Sequence, residues 1–219
     1  MQSKTIQSTV KICAVLVVIQ TIRILVSQRL LSLFDKTSLS IDAVSMVTMI
    51  IITILMIIIA NKLDISFSFP PKAKTRSAKI FCVIATLLFL FLAISAPLFT
   101  QDTSVGVILP LLYSVVVTPV FEELIFRGYV WNSLREIGKS ELRTYVISTG
   151  LFALWHLGYI DVIWLKMSLQ ENGVDLLYVM LMKVAVGLFF GIVIGFVRYK
   201  TKNTYAAMLM HGVMNVFGR

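Results

Sequence analysis

Long apolar segments alternate with short polar ones along most of the chain. A helix needs about twenty apolar residues to cross about 30 Å of hydrocarbon, and the longer segments reach that length. The pattern predicts seven membrane spans, of which the fourth is long and the last is short. They lie near residues 10–27, 41–60, 80–99, 105–134, 144–165, 176–197 and 203–217. We therefore expect an all-α, polytopic transmembrane helical bundle that forms a single integral membrane domain over residues 1–219.

Composition supports lipid as the main solvent of this chain. Its residues are 58% apolar, and its mean hydropathy is +0.90. Only 14% are charged, compared with about a quarter in soluble domains. The net charge of +9 does not indicate nucleic acid, because the basic residues flank apolar segments and do not form a water-exposed face. Membrane lipid is the expected neighbour, and no nucleic acid is expected.

Lysine and arginine are distributed unevenly between alternate loops. Thirteen fall on the side of the N-terminus and four on the opposite side. Because cytoplasmic loops carry the excess of positive charge, we predict a cytoplasmic N-terminus, a cytoplasmic loop 61–79 and a C-terminus outside. Arg23 and Arg29 follow the first apolar run without a small-residue cleavage site, so an uncleaved first helix is expected there. The compact length favours a bacterial plasma membrane.

Ionisable residues occur inside the predicted spans, where an unpaired charge is costly. The fourth span contains Glu122, Glu123 and Arg127. Glu123 and Arg127 are four residues apart and share a helix face, which predicts an ion pair that lowers their cost of burial. Glu122 points about 100° away from Glu123 and has no partner at that spacing. It is therefore the carboxylate that is free to react.

Both histidines of the chain lie in apolar segments. His156 follows Phe152 by four residues in the fifth span, and His211 precedes Asn215 by four in the seventh. With a rise of about 1.5 Å per residue, the histidines, Asn215 and Glu122 fall roughly 12–18 Å below the predicted cytoplasmic edge. One histidine in an apolar run usually has only a packing role. Polar groups from three helices at one depth indicate a shared site.

Three short motifs resemble those of the CPBP family, the CAAX-protease and bacteriocin-processing proteins formerly called the Abi family. That family is similar to the type II CAAX prenyl endopeptidases. The motifs occur in the family's order on three hydrophobic segments: Glu122-Glu123-x-x-x-Arg127, Phe152-x-x-x-His156 and His211-x-x-x-Asn215. The resemblance covers about 100–219, which it implies is the catalytic core. The first three spans match only in hydrophobic character.

The resemblance implies an intramembrane endopeptidase that hydrolyses a peptide bond in a membrane-associated or lipidated peptide or protein, without a cofactor. It assigns Glu122, assisted by His156, to the activation of water, a role that suits a proton-accepting carboxylate. It assigns His211 and Asn215 to the oxyanion, to which both side chains can donate. Three further side chains are implied to orient the helices or to pack beneath the water site: Glu123, Arg127 and Phe152.

Other chemistries remain open. Glu122, His156 and His211 would form a zinc (Zn) ligand set, with a water molecule as the fourth ligand. The chain has no HExxH segment, and Asn215 is a poor zinc ligand but a good donor, which favours metal-free hydrolysis. A proton-coupled transporter would also use intramembrane Glu, His and Arg, but no inverted repeat is visible. A non-catalytic immunity or scaffold protein is another alternative. The sequence does not determine the substrate or the oligomeric state.

Overall fold

Helices make up the secondary structure of this protein. The computed structural model describes residues 2–62, 75–138, 140–170 and 173–217, and no strand occurs in those ranges. Ten α-helices lie there, with these bounds: α1 Gln2–Leu31, α2 Ser38–Lys62, α3 Arg76–Thr100, α4 Val105–Leu112, α5 Thr118–Glu123, α6 Trp131–Gly138, α7 Glu141–Trp155, α8 Ile160–Ser168, α9 Leu176–Thr201 and α10 Thr204–Phe217. The all-α class predicted from the sequence is confirmed.

Six helical segments of the described chain are long and apolar enough to span a membrane. The fourth runs over Val105–Gly138, through α4, α5 and α6, and the fifth over Glu141–Ser168, through α7 and α8. The predicted seventh span is α10, which has 14 residues. That corresponds to about 21 Å, less than the hydrocarbon thickness. The prediction of about seven spans is therefore close, with six segments of spanning length and one shorter helix.

Large apolar side chains cover the outside of the bundle. Leu87 and Phe91 on α3, and Leu181 and Phe189 on α9, are between 59% and 64% exposed. Contact of such side chains with water would be unfavourable in proportion to the exposed apolar area. Lipid removes that cost, so these surfaces fit a membrane environment.

The fourth span is not a regular α-helix. Its chain is π-helical over Tyr113–Val117 and again over Leu124–Val130, on either side of α5. Inserted π turns widen a helix locally, leave carbonyl groups to be satisfied by other partners, and are frequent at functional sites. The short helix with both glutamates, α5, thus lies between two widened turns.

Helices α7 and α9 approach each other closely along a row of glycines on α9. These are Gly187, Gly191 and Gly195, which share one helix face. A Cβ atom on Gly187 would lie 2.7 Å from Nδ1 of His156, which is closer than real Cβ contacts. The missing side chain therefore allows α9 to hold His156 in place.

Helices α1 and α2 pack against the core that the later helices form. Ile12 and Leu16 of α1 and Met49 and Ile52 of α2 belong to the same buried cluster as Phe152. The predicted orientation in the membrane stays a prediction. Most of the loop 61–79 and the C-terminal end of the chain lie outside the described residues.

Candidate active site

A cavity of about 550 Å³ lies between the helices that carry the three motifs. Glu122 of α5, His156 at the junction of α7 and α8, and His211 and Asn215 of α10 all line it. The four residues that the sequence places at one depth therefore face one space. Their roles in catalysis stay predictions.

Glu122 is buried and is held by a tyrosine. The hydroxyl of Tyr159 donates to Oε1 of Glu122 at 2.6 Å, and Nε2 of His211 lies 3.9 Å from Oε2. The sequence had left Glu122 without a partner, because helical spacing considers only residues on its own helix. Tyr159 reaches it from another span. This donor is neutral, so the negative charge of Glu122 is not cancelled by it.

Glu123 makes the ion pair that the sequence predicts. Nη1 of Arg127 donates to Oε1 of Glu123 at 3.0 Å, and both side chains are fully buried. Nη2 of Arg127 donates to the carbonyl of Gly191 at 3.3 Å, and the guanidinium lies 4.4 Å from the ring centroid of Phe152. Arg127 thus ties α5 to α9 as well as neutralising Glu123.

His211 lies between the two glutamates. Its Nδ1 is 2.9 Å from Oε1 of Glu123. Because a carboxylate is an acceptor only, Nδ1 carries the proton of this hydrogen bond. The other ring nitrogen, Nε2, is therefore the one that faces Glu122 and the cavity. Glu123 orients His211, a contact that one-dimensional spacing could not predict because 88 positions separate the two residues.

His156 is oriented by its own backbone. Its Nδ1 lies 2.8 Å from the carbonyl oxygen of Phe152, which is an acceptor, so Nδ1 is again the protonated nitrogen. The lone pair of Nε2 is left for another partner in the neutral ring. The ring of Phe152 packs edge-on against both histidines, with centroid distances of 5.0 Å to His156 and 5.8 Å to His211.

Asn215 has a structural bond that the sequence did not predict. Its Nδ2 donates to the carbonyl of Ser114 at 2.6 Å. In the π-helical turn each amide donates to the carbonyl five residues earlier, as the amide of Thr118 does to Tyr113. By the same spacing, the carbonyl of Ser114 would accept from the amide of residue 119. Residue 119 is Pro119, which has no N–H. Asn215 therefore completes the backbone bonding of the fourth span, and one of its two N–H bonds is already used.

The close approach of α10 to this π-helical turn depends on Gly212. A Cβ atom there would lie 2.7 Å from the carbonyl oxygen of Val115. The glycine between His211 and Asn215 thus lets both side chains reach the fourth span.

Helix α1 supports the turn that carries His156 and Tyr159. Arg23 is 1% exposed, and its Nη2 donates to Oδ1 of Asp161 at 2.7 Å and to the carbonyl of Gly158 at 2.6 Å. Its guanidinium lies 4.9 Å from the ring centroid of Tyr159. Gln20 donates to the carbonyl of Trp155 at 3.1 Å. These contacts hold the turn that carries Tyr159, whose hydroxyl donates to Glu122.

Sequence reasoning missed this support. Arg23 was visible as a cation inside an apolar run, which is a signal for a buried ion pair. Its partner Asp161 lies in a different predicted span, so spacing within one helix could not pair the two residues. No sequence signal marks Tyr159, since the relation between residues 122 and 159 arises only when two spans pack together.

Two lysines also line the cavity. Nζ of Lys166 donates to Oδ1 of Asp42 at 2.6 Å, so that charge is paired. Lys183 of α9 lines the same cavity and makes no ion pair or hydrogen bond with any of the described residues.

The zinc ligand set is not assembled in the described part of the chain. No three His, Cys, Asp or Glu side chains are arranged there so that they could hold one metal ion. Glu122 and His211 face each other, but His156 does not complete a cluster with them.

The fold and the cavity define a polytopic membrane protein with a polar site enclosed between its spans. A family model described as type II CAAX prenyl endopeptidase Rce1-like matches residues 104–217, just over half of the chain. The chain belongs to this family and is an integral membrane protease of the CAAX type. All three motifs lie inside the match, whereas α1, α2 and α3 precede it. No curated protein and no solved structure matches the chain.

Proposed function

We propose that this protein hydrolyses a peptide bond in a membrane-associated or lipidated substrate by a glutamate-activated water, without a metal. One observation carries the proposal. Glu122, His156, His211 and Asn215 line a single cavity of about 550 Å³ inside a protease family domain. A cavity of that size accommodates several residues of an extended peptide.

Glu122 acts as the general base. The hydrogen bond from Tyr159 occupies Oε1 and leaves Oε2 for a water molecule. His156 assists through Nε2, whose lone pair is available because Nδ1 is bonded to the carbonyl of Phe152. A base and a second acceptor on one water would position its oxygen for attack on the peptide carbonyl.

His211 and Asn215 stabilise the oxyanion that the attack produces. Nε2 of His211 is the nitrogen that faces the cavity, because Nδ1 is bonded to Glu123. Donation from Nε2 requires a second proton on the ring, and the carboxylates of Glu122 and Glu123 both lie beside that ring. Asn215 contributes the N–H that is not used by Ser114. Each such donor contributes about 3 kcal/mol in well-studied sites.

The experiment is cleavage of a prenylated CAAX-type fluorogenic peptide by the purified protein in nanodiscs. Glu122→Gln keeps the shape of the side chain but cannot accept the proton, so kcat should fall by about a thousandfold. Glu136→Gln, on an exposed glutamate, is the matched control and should cleave like the wild type. Wild-type turnover by Glu122→Gln would exclude Glu122 as the base.

Metal analysis of the same preparations separates the zinc alternative. We expect a chelator-resistant protein without stoichiometric zinc, and slower turnover in both His211→Ala and Asn215→Ala. A metalloprotease would instead lose zinc with His211→Ala, retain it with Asn215→Ala and be inactivated by the chelator. Those three results together would overturn the metal-free mechanism.

A further inference from the structure

Lys183 is the charged cavity residue that the proposed chemistry does not use. It lies in α9, within an apolar segment of spanning length, where an ionisable side chain is costly and marks a functional position by default. Its side chain is exposed and lines the cavity, which makes the ammonium group accessible to a ligand. A cation at this position can pair with an anionic group of a ligand in the cavity.

Neither of the two carboxylates that line the cavity, Asp42 and Glu122, pairs with Lys183. Lys166 is bonded to Asp42 at 2.6 Å, and Glu122 accepts a hydrogen bond from Tyr159. Among the residues that the structure describes, none pairs with Lys183. The ligand for this ammonium group is therefore to be sought outside the described protein.

The position of Lys183 limits where that anion lies on a bound peptide. Lys183 precedes Gly187 by one helical turn, about 6 Å along α9, and Gly187 contacts His156. A lysine side chain adds a reach of about the same length, and the gap between Gly187 and the ring adds about 3 Å, so the ammonium lies within about 15 Å of the His156 ring. An extended peptide covers about 3.4 Å per residue. The anion thus falls within about four residues of the bond that is cut.

We propose that Lys183 binds a carboxylate of the substrate peptide, within about four residues of the cleaved bond, and thereby selects substrates. This inference rests on the proposed function, because it assumes that the peptide bond is cut beside Glu122. Two sources of carboxylate satisfy the geometry, namely the C-terminal carboxylate of the peptide and an acidic side chain beyond the cleaved bond.

Three prenylated fluorogenic peptides of otherwise identical sequence test the proposal. One ends in a free carboxylate, the second in a carboxamide, and the third combines the carboxamide with an aspartate two residues beyond the cleaved bond. The wild type should show a KM about tenfold lower for the free acid than for the amide, with similar kcat. If the third peptide also has the low KM, then Lys183 binds acidic side chains as well as the C-terminal carboxylate.

Variants then locate the effect. Lys183→Met should raise KM for the free acid about tenfold and leave the amide unchanged, whereas Lys183→Arg should retain the preference. Lys200→Met, at the other end of α9, is the control and should change neither value. Equal KM values for acid and amide in the wild type would overturn the proposal even if Lys183→Met does not fold.

Two further outcomes are diagnostic. If Lys183→Met changes both peptides equally, and by an amount that follows the anionic lipid content of the nanodisc, then the lysine binds lipid headgroups and the proposal is wrong. Failure of the proposed function has another signature, since turnover would then persist in Glu122→Gln whatever the ending of the peptide. The two failures are therefore distinguishable.

Discussion

The helices that precede the family match and the helices inside it use buried charge in different ways. Inside the match, Glu123, Arg127 and His211 form one connected cluster around the cavity. In the preceding helices, Arg23 of α1 and Asp42 of α2 each reach across to the fifth span, where they pair with Asp161 and Lys166. The earlier helices thus contribute ion pairs that hold the site, and the matched region contributes the residues that we propose to react.

We expect the functional unit to extend beyond the region that the family model matches, because α1 and α2 make ion pairs with the fifth span. A search limited to residues 104–217 would miss Arg23 and Gln20, although both contact the turn that carries His156. A buried charge without a partner is strongly unfavourable. An ion pair between two helices therefore holds the two helices in place against each other. We expect α1 to be needed for activity as well as for folding.

The largest effect on stability should come from Glu123→Gln. This change leaves the fully buried guanidinium of Arg127 without its counter-ion and removes the charged partner of His211, which should lower the free energy of unfolding by about 3–5 kcal/mol. Thermal unfolding in detergent is the measurement. Glu122→Gln is the matched control and should unfold near the wild-type temperature, because its partner Tyr159 is neutral. If both variants lost the same thermal stability, Glu123 could not be distinguished from Glu122 as the structural glutamate.

A smaller effect is expected in α1, and it tests the comparison directly. Arg23→Met should reduce kcat by about tenfold to a hundredfold, because it releases the turn that positions Tyr159 and His156. Arg29→Met, an exposed change on the same helix, should have no effect. Both activity and thermal stability are measured.

A double-mutant cycle adds a readout that general destabilisation would not produce. Arg23→Met and Asp161→Asn should be strongly non-additive in kcat, since they break one ion pair. Additive effects, or full activity in Arg23→Met, would confine the functional unit to the matched region.

The smallest effect should be that of Tyr159→Phe. Loss of the hydrogen bond to Glu122 should lower kcat about tenfold, with little change in KM or in stability, because the aromatic ring is retained. Tyr178→Phe, on an exposed tyrosine of α9, is the control. Turnover at the wild-type rate by Tyr159→Phe would show that Tyr159 has only a packing role in the cavity wall.

Much of the fold could be read from the sequence, since hydrophobic segments of spanning length have few alternatives to a helix in lipid. The Glu123–Arg127 ion pair was also predictable, because both residues are on one helix. The π-helical turns were not predicted. Pro119 indicated a kink, but the contacts of the widened turn Tyr113–Val117 come from Asn215 and Gly212, in a helix about a hundred residues later.

By itself, the sequence determined the helical class, the approximate spans and the motifs that identify the family, because these depend on local composition and on spacing within single helices. Only the tertiary structure decided that Tyr159 holds Glu122, that Glu123 orients His211 and that Arg23 supports the site. Each of these contacts joins residues from different helices. Their geometry follows from how the helices pack, which spacing along one chain does not specify.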